Sequence, residues 1–147
     1  MSKGVFNMEW AVKEIRKILT DTNELHGWNI PNNIVEYEAR ILASKLDEPN
    51  WRPETSYAEQ YMQLRDQAAA LAFGNTCWFT RSIFPELGAN RGITQDYWVK
   101  LGQGSYHMVL RSVPSTTVQT MHDHFEFLAE TVHTAIRHYG DFRSMWD

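Results

Sequence analysis

Near the carboxyl end of the chain, four side chains have the types and spacing of metal ligands: His122, Glu126, Glu130 and His133. On a helix, all four fall within one quarter of the circumference. Glu130 and His133 have the Glu-x-x-His spacing that carboxylate-bridged di-iron bundles carry on each of two helices. Imidazole and carboxylate ligands suit zinc or iron. One hypothesis is therefore a metal-dependent helical-bundle enzyme that uses this face of the last helix.

The chain carries no second Glu-x-x-His. The glutamates considered as further ligands have no histidine three residues later: Glu9, Glu14, Glu36 and Glu38. A full di-iron site is therefore not expected, whereas a mononuclear site with a further ligand from His26 or His107 stays open. The same pattern is typical of a solvated helix face with His or Arg paired to Glu four residues away. We favour the solvated face.

Two further reactive side chains lie in the dense segment at residues 73–92. Cys77 is the only cysteine, so an intramolecular disulfide or a paired-cysteine zinc site is impossible, and a small buried hydrophobe is favoured over a nucleophile. Arg81 lies in the apolar run CWFTRSIF, where a buried charge needs a partner. Glu86 and Asp96 are the carboxylates close in sequence. Arg81 either binds an anion or, as we favour, reaches the surface or closes a structural ion pair.

The composition is that of an ordinary globular domain. The chain has 147 residues, of which 43% are hydrophobic and 22% charged, so we expect one helical domain over residues 1–147. A net charge of -4 argues against a nucleic-acid partner. We find neither the pattern of a signal peptide nor an apolar run of membrane-spanning length, so a cytoplasmic location is expected.

Helical periodicity runs through almost the whole chain and predicts an all-α bundle of five or six helices. The predicted helices cover about residues 8–27, 32–47, 56–74, 75–84, 94–109 and 115–139. Gly74 and Pro85 are expected to end two of them. Gly102 lies inside the fifth, where a glycine predicts the close approach of another element. The tail is expected to fold back through Phe142 and Trp146.

A spaced set of residues between positions 74 and 106 forms the most distinctive motif of the chain. It reads Gly-Asn, an aromatic run ending in Phe-Pro-Glu, Asn-Arg, Asp-Tyr-Trp and Gly-x-x-Ser-Tyr. Its residues are Gly74, Asn75, Cys77, Arg81, Phe84, Pro85, Glu86, Asn90, Arg91, Asp96, Tyr97, Trp98, Gly102, Ser105 and Tyr106.

This motif resembles that of a family of small helical proteins from bacteria and phages, whose function is unassigned. The family pattern has Asp where Asn75 stands, an arginine pair where only Arg91 remains, and Tyr where Trp98 stands. The resemblance implies a helical fold and a structural role for the motif. It implies no catalytic residue.

The leading functional prediction is non-catalytic: a phage-related interaction or accessory protein that binds a protein partner or associates with itself into an oligomer. Six tryptophans and six tyrosines support it, because both residue types are enriched at interfaces. An exposed patch containing Trp10, Trp28 or Trp51 would strengthen this prediction. The alternative is the zinc or iron enzyme described above.

Overall fold

The computed structural model describes residues 6–48, 51, 56–139 and 142–146, with only the backbone at residue 142. It confirms the all-α prediction, with seven α-helices in these ranges rather than five or six. They are α1 (Met8–His26), α2 (Asn32–Leu46), α3 (Tyr57–Met62), α4 (Gln67–Ile83), α5 (Gln95–Leu110), α6 (Thr116–Asp123) and α7 (Phe125–His138). Two short 3-10 helices cover Ala89–Arg91 and Phe142–Trp146. No helix in the described part is both long and apolar enough to cross a membrane.

Local capping chemistry sets several helix ends. The Asn7 side chain accepts from the backbone N–H of Trp10 at 3.0 Å and begins α1, as predicted. Gly27, with φ of 63°, ends it in the left-handed conformation. The hydroxyl of Ser115 begins α6 by accepting from the backbone N–H of Val118. The helix α4 stops at Ile83, two residues before Pro85.

The prediction that Gly74 ends a helix is wrong. The chain breaks earlier, at residues 63–66, where Asp66 begins α4 by accepting from the backbone N–H of Ala69. From there α4 runs through Gly74 to its end. A Cβ at position 74 would lie 2.7 Å from the ring of Tyr106, so the glycine makes room for α5. The two predicted helices at residues 56–74 and 75–84 are therefore replaced by a short α3 and a long α4.

The predicted last helix is also not continuous. His124, with φ of -119° and ψ of 27°, separates α6 from α7. The bend lets α6 pack on α2 and α5, while Phe125 at the start of α7 lies against Gly102 of α5. As a consequence, His122 belongs to a different helix from Glu126, Glu130 and His133.

The core is built around α4 and α5, and its largest fully buried side chains include Trp78, Phe79, Trp98 and Tyr106. The tail folds back onto it through Trp146, as predicted, and Trp146 is buried. The part of that prediction that concerns the Phe142 side chain lies outside the described residues.

Candidate functional site

Arg81 lies buried where α4 meets α7 and forms ion pairs with two glutamates of α7. Its side chain is 5% exposed, and its Nη2 donates to Oε1 of Glu130 at 3.1 Å. Oε1 of Glu126 lies 3.7 Å from the same nitrogen. The Nε of Arg81 has no hydrogen-bond partner among the described residues. The protein's own carboxylates thus occupy the position that an external anion would take, and this geometry fits a structural ion pair.

The sequence-based choice of partners for Arg81 is therefore wrong. Glu86 accepts from Arg143 of the tail, and Asp96 pairs with Lys100 of its own helix at 3.0 Å. The true partners are 45 and 49 residues away, because α7 packs along α4.

The two histidines of the metal hypothesis make local contacts. Nδ1 of His133 lies 3.0 Å from the carbonyl oxygen of Ser82, which is one of the last carbonyls of α4. Such carbonyls lack a partner within their own helix, so a proton on this nitrogen caps the end of α4. Nδ1 of His122 lies 2.9 Å from Asp123, and this hydrogen bond is the main reason why the pKa of Asp123 is lowered.

The four candidate metal ligands do not converge on one point. Glu126 and Glu130 pair with Arg81, His133 caps α4, and His122 lies beyond the bend. Within the described ranges, no three His, Cys, Asp or Glu side chains are grouped as a metal site requires. The rings of His107 and His122 are 6.3 Å apart, and His26 stacks on Trp28. The observed geometry thus favours ion-pair and capping roles for these side chains.

Cys77 is completely buried beside α5. Burial raises the pKa of its thiol far above the ordinary range, and the charge of Lys45 offsets this only in part. A nucleophilic cysteine needs the opposite, a lowered pKa that yields thiolate at neutral pH. The environment of Cys77 is therefore that of a core residue.

Asn75 of the motif's Gly74–Asn75 pair anchors a partly buried polar junction between three helices. The Oδ1 atom of Asn75 accepts from the hydroxyls of Tyr37 at 2.9 Å and Tyr106 at 2.8 Å. One residue later, Thr76 accepts from the buried ammonium group of Lys45 at 2.8 Å. These bonds join α2, α4 and α5, and they satisfy polar groups that would otherwise be costly to bury.

Other motif residues lie just after the end of α4, in the 3-10 turn that follows and at the start of α5. The hydroxyl of Tyr97 accepts from the backbone N–H of Ala58, which fixes α3 beside α5. Phe84 stacks on Trp51 with ring centres 5.3 Å apart, and Pro85 is buried beside it. Arg91 is exposed in the 3-10 turn. These contacts are structural in kind.

Sequence analysis missed an apolar groove, which we call the Trp10 groove. It has a volume of about 210 Å³ and is lined by residues of α1, the ends of α2 and α7, and the tail: Trp10, Ala11, Glu14, Ile15, Ile18, Leu46, Ile136, Met145 and Trp146. Trp10 is 61% exposed and Met145 is 55% exposed. Trp10 is one of the three tryptophans whose exposure would strengthen the interaction prediction, whereas Trp28 is half-buried and Trp51 is buried. The signal in the sequence was weak, because only the folded tail closes the groove.

No family model, no curated protein and no solved structure matches this chain. The resemblance of residues 74–106 to the bacterial and phage family therefore stays a prediction. The assignment of a functional site depends on the geometry alone. The Trp10 groove is lined almost entirely by apolar side chains, whereas a larger depression of about 700 Å³ is lined by charged residues that include Arg65 and Arg111.

The Arg81 ion pairs yield a testable prediction about stability. Replacing Glu130 by glutamine removes the nearest carboxylate from a buried guanidinium, so we expect a loss of about 1 kcal/mol, reduced because Glu130 is 59% exposed. Arg81→Met replaces the buried charge by an apolar side chain and leaves two hydrated glutamates. We expect it to change the free energy of unfolding by less than about 1 kcal/mol.

Urea denaturation of the two variants checks this prediction, with Glu126→Gln as the matched control. Glu126 lies 3.7 Å from Arg81, beyond hydrogen-bond distance, so its loss should matter less than that of Glu130. An Arg81→Met variant that is much less stable than Glu130→Gln would contradict the interpretation.

Proposed function

We propose that the protein acts through protein–protein contact, and that the Trp10 groove receives a bulky apolar side chain from a segment of a partner protein. The observation that carries this proposal is the pair of exposed side chains, Trp10 and Met145, beside an apolar depression. Large exposed apolar groups around a groove are typical of interaction sites, and Trp and Met are enriched there.

The size of the groove supports a side-chain anchor as its occupant. Pockets that enclose drug-sized ligands have volumes of about 300–1,000 Å³. The Trp10 groove is smaller, at about 210 Å³, and is open to solvent along Trp10. Interfaces often concentrate their binding energy in one or two anchors of this kind, inserted into a desolvated pocket.

Charge favours a different protein over a second copy of this chain. The net charge is -4, so two copies repel each other weakly at neutral pH. Glu14 is the charged residue that lines the groove, and it forms no ion pair within the described part of the chain. A stable interface between two folded proteins buries about 800 Å² on each partner, so a groove of about 210 Å³ fits a short segment better than the face of a second folded copy. A partner segment with Lys or Arg beside its anchor complements Glu14.

The cellular setting of the partner rests on the motif. The resemblance of residues 74–106 supports a phage or bacterial protein, and hence a partner in the cytoplasm of a bacterium or of a phage-infected cell. Neither a nucleic acid nor a membrane is proposed as a partner, in view of the acidic net charge and the composition of the helices.

Selection of binders from a random peptide library tests the proposal. We expect the selected peptides to carry a large apolar residue close to Lys or Arg, and Trp10→Ala to weaken their binding at least about tenfold. Met62→Ala is the matched control, because Met62 is 77% exposed on α3, outside the groove. If the wild type, Trp10→Ala and Met62→Ala bind the peptides with equal affinity, the proposal is contradicted.

Sedimentation velocity over a range of protein concentrations tests the competing occupant. We expect a monomer at all concentrations. Dimers that form in the wild type and disappear in Trp10→Ala would assign the groove to a second copy of the chain.

A further inference from the structure

Glu38 is a buried carboxyl group with no compensating charge among the residues that the structure describes. It lies on α2 and is 1% exposed, and its Oε2 has no hydrogen-bond partner among the described residues. Burial raises the pKa of this carboxyl well above its ordinary value, and desolvation is the only cause. A carboxylate in such a place is costly, so the group is held as the neutral acid.

Glu38 faces a small space where α1, α2 and α7 meet. The space measures about 10 Å³ and lies between Glu38, Leu19 of α1 and Thr131 of α7, beneath the half-buried Trp28. A space of this size holds at most one water molecule. The hydroxyl of Thr131 already donates to the carbonyl of Leu128, so its hydrogen is not directed at Glu38.

No cation approaches Glu38 from the elements around it. The residues that α1 and α7 place against the space are uncharged. From α5, Tyr106 lies within electrostatic range, and burial raises the pKa of its hydroxyl, as it does for Tyr37 on α2 and for Cys77 on α4. Lys45, on α2 itself, bonds instead to Thr76 and Glu48.

We propose that Glu38 is a proton-dependent lock on the contact between α1, α2 and α7. The protonated side chain allows the three helices to close over it. A carboxylate needs several water molecules or other donors around it, whereas the closed arrangement has room for at most one water molecule. Deprotonation therefore favours a locally opened state in which α1, α2 and α7 move apart around Glu38 and admit more water.

The direction of the pH dependence follows from proton linkage. An acid with a raised pKa in the closed state contributes full stability below its ordinary pKa and loses it as pH rises toward the closed-state pKa. Between these two values, the fraction of opened molecules grows by up to about tenfold per pH unit.

The lock lies directly beside the Trp10 groove. Leu19 and Val132 line the space at Glu38, whereas Ile15 of α1 and Ile136 of α7, one turn away on the same two helices, line the groove. Opening at Glu38 would deform the base of the groove, so occupancy of the groove would fall as pH rises. This last consequence rests on the proposed function, but the lock itself does not.

Amide hydrogen exchange of α1, α2 and α7 between about pH 6 and about pH 9 tests the lock without any partner. After correction for intrinsic exchange rates, we expect the protection of these amides in the wild type to fall as the pH rises. In Glu38→Gln, which cannot ionise, it should stay constant. Glu24→Gln, an exposed glutamate of α1, should behave as the wild type does. If amide protection falls with rising pH as steeply in Glu38→Gln as in the wild type, the proposal is overturned.

An NMR titration of the Glu38 side-chain carboxyl carbon provides an independent test. We expect its midpoint well above the ordinary value for glutamate, about 4.3. A midpoint at the ordinary value would show that water reaches the carboxyl in the native state, and would overturn the lock. Neither experiment involves the groove, so their failure is distinguishable from failure of the proposed function.

Discussion

Replacing Trp146 by alanine is expected to lower the free energy of unfolding by about 3–5 kcal/mol, the range for truncating a buried tryptophan. Trp146 is 4% exposed. Its indole N–H donates to the carbonyl of Leu42 at 2.9 Å, and its own carbonyl accepts from the indole of Trp51 at 2.9 Å. The two bonds fasten the tail between α2 and the loop that follows α2. Alanine at position 146 removes the first bond and leaves a large cavity beside Phe79.

Chemical denaturation of three variants separates what the ring volume of Trp146 and its hydrogen bond each contribute to the free energy of unfolding. Trp146→Phe keeps most of the ring volume but removes the indole N–H that donates to the carbonyl of Leu42, so a loss of about 0.5–1.5 kcal/mol is expected. Met145→Ala, at the exposed neighbour, should change stability by less than about 0.5 kcal/mol. A Trp146→Ala variant as stable as Met145→Ala would show that the tail is not docked in solution.

The sequence predicted the helix ends that depend on local chemistry. Asn7, Gly27, Ser115 and Pro85 act on backbone groups within a few residues, so their effect can be predicted without the fold. The bend at His124 has no such signal, because neither glycine nor proline stands there. It follows from the packing of Phe125 onto α5, a contact between residues distant in sequence.

In the candidate site, too, the sequence predicts what local chemistry determines but not what contacts between distant residues determine. That a buried Arg81 needs carboxylates follows from elementary electrostatics, and the sequence predicted that need. The choice of Glu130 over Glu86 depends on how α7 lies along α4, which no local pattern encodes. The Trp10 groove depends on the docked tail for the same reason.

Replacing glycine by alanine in α5 is the second substitution with a large expected effect on stability. Two glycines of this helix should respond in opposite ways. A Cβ at position 102 would overlap the ring of Phe125, which is 1% exposed, and would lie 3.2 Å from Cβ of Cys77. The ring is enclosed by the core and cannot move aside. We expect Gly102→Ala to cost about 1–3 kcal/mol from overpacking, despite the better helix propensity of alanine.

Gly104→Ala is the matched control, two residues later and on the opposite side of α5. Its Cβ would meet only the hydroxyl end of Tyr61, a half-buried side chain that can swing toward solvent. The gain in helix propensity then dominates, and we expect stability to rise by up to about 1 kcal/mol. Urea denaturation of both variants measures the contrast. Similar effects at both positions would mean that propensity, and not the close approach of α7, explains the glycine at 102.

A second substitution identifies the contact responsible. In the background of Phe125→Leu, the smaller side chain leaves space for a Cβ at position 102, so the cost of Gly102→Ala should shrink markedly. The coupling energy expected for two residues in direct contact is about 0.5–3 kcal/mol. Additive effects would place the strain elsewhere, for example against Cys77. A large coupling would instead establish that Phe125, at the start of α7, packs against a surface of α5 that only glycine leaves open.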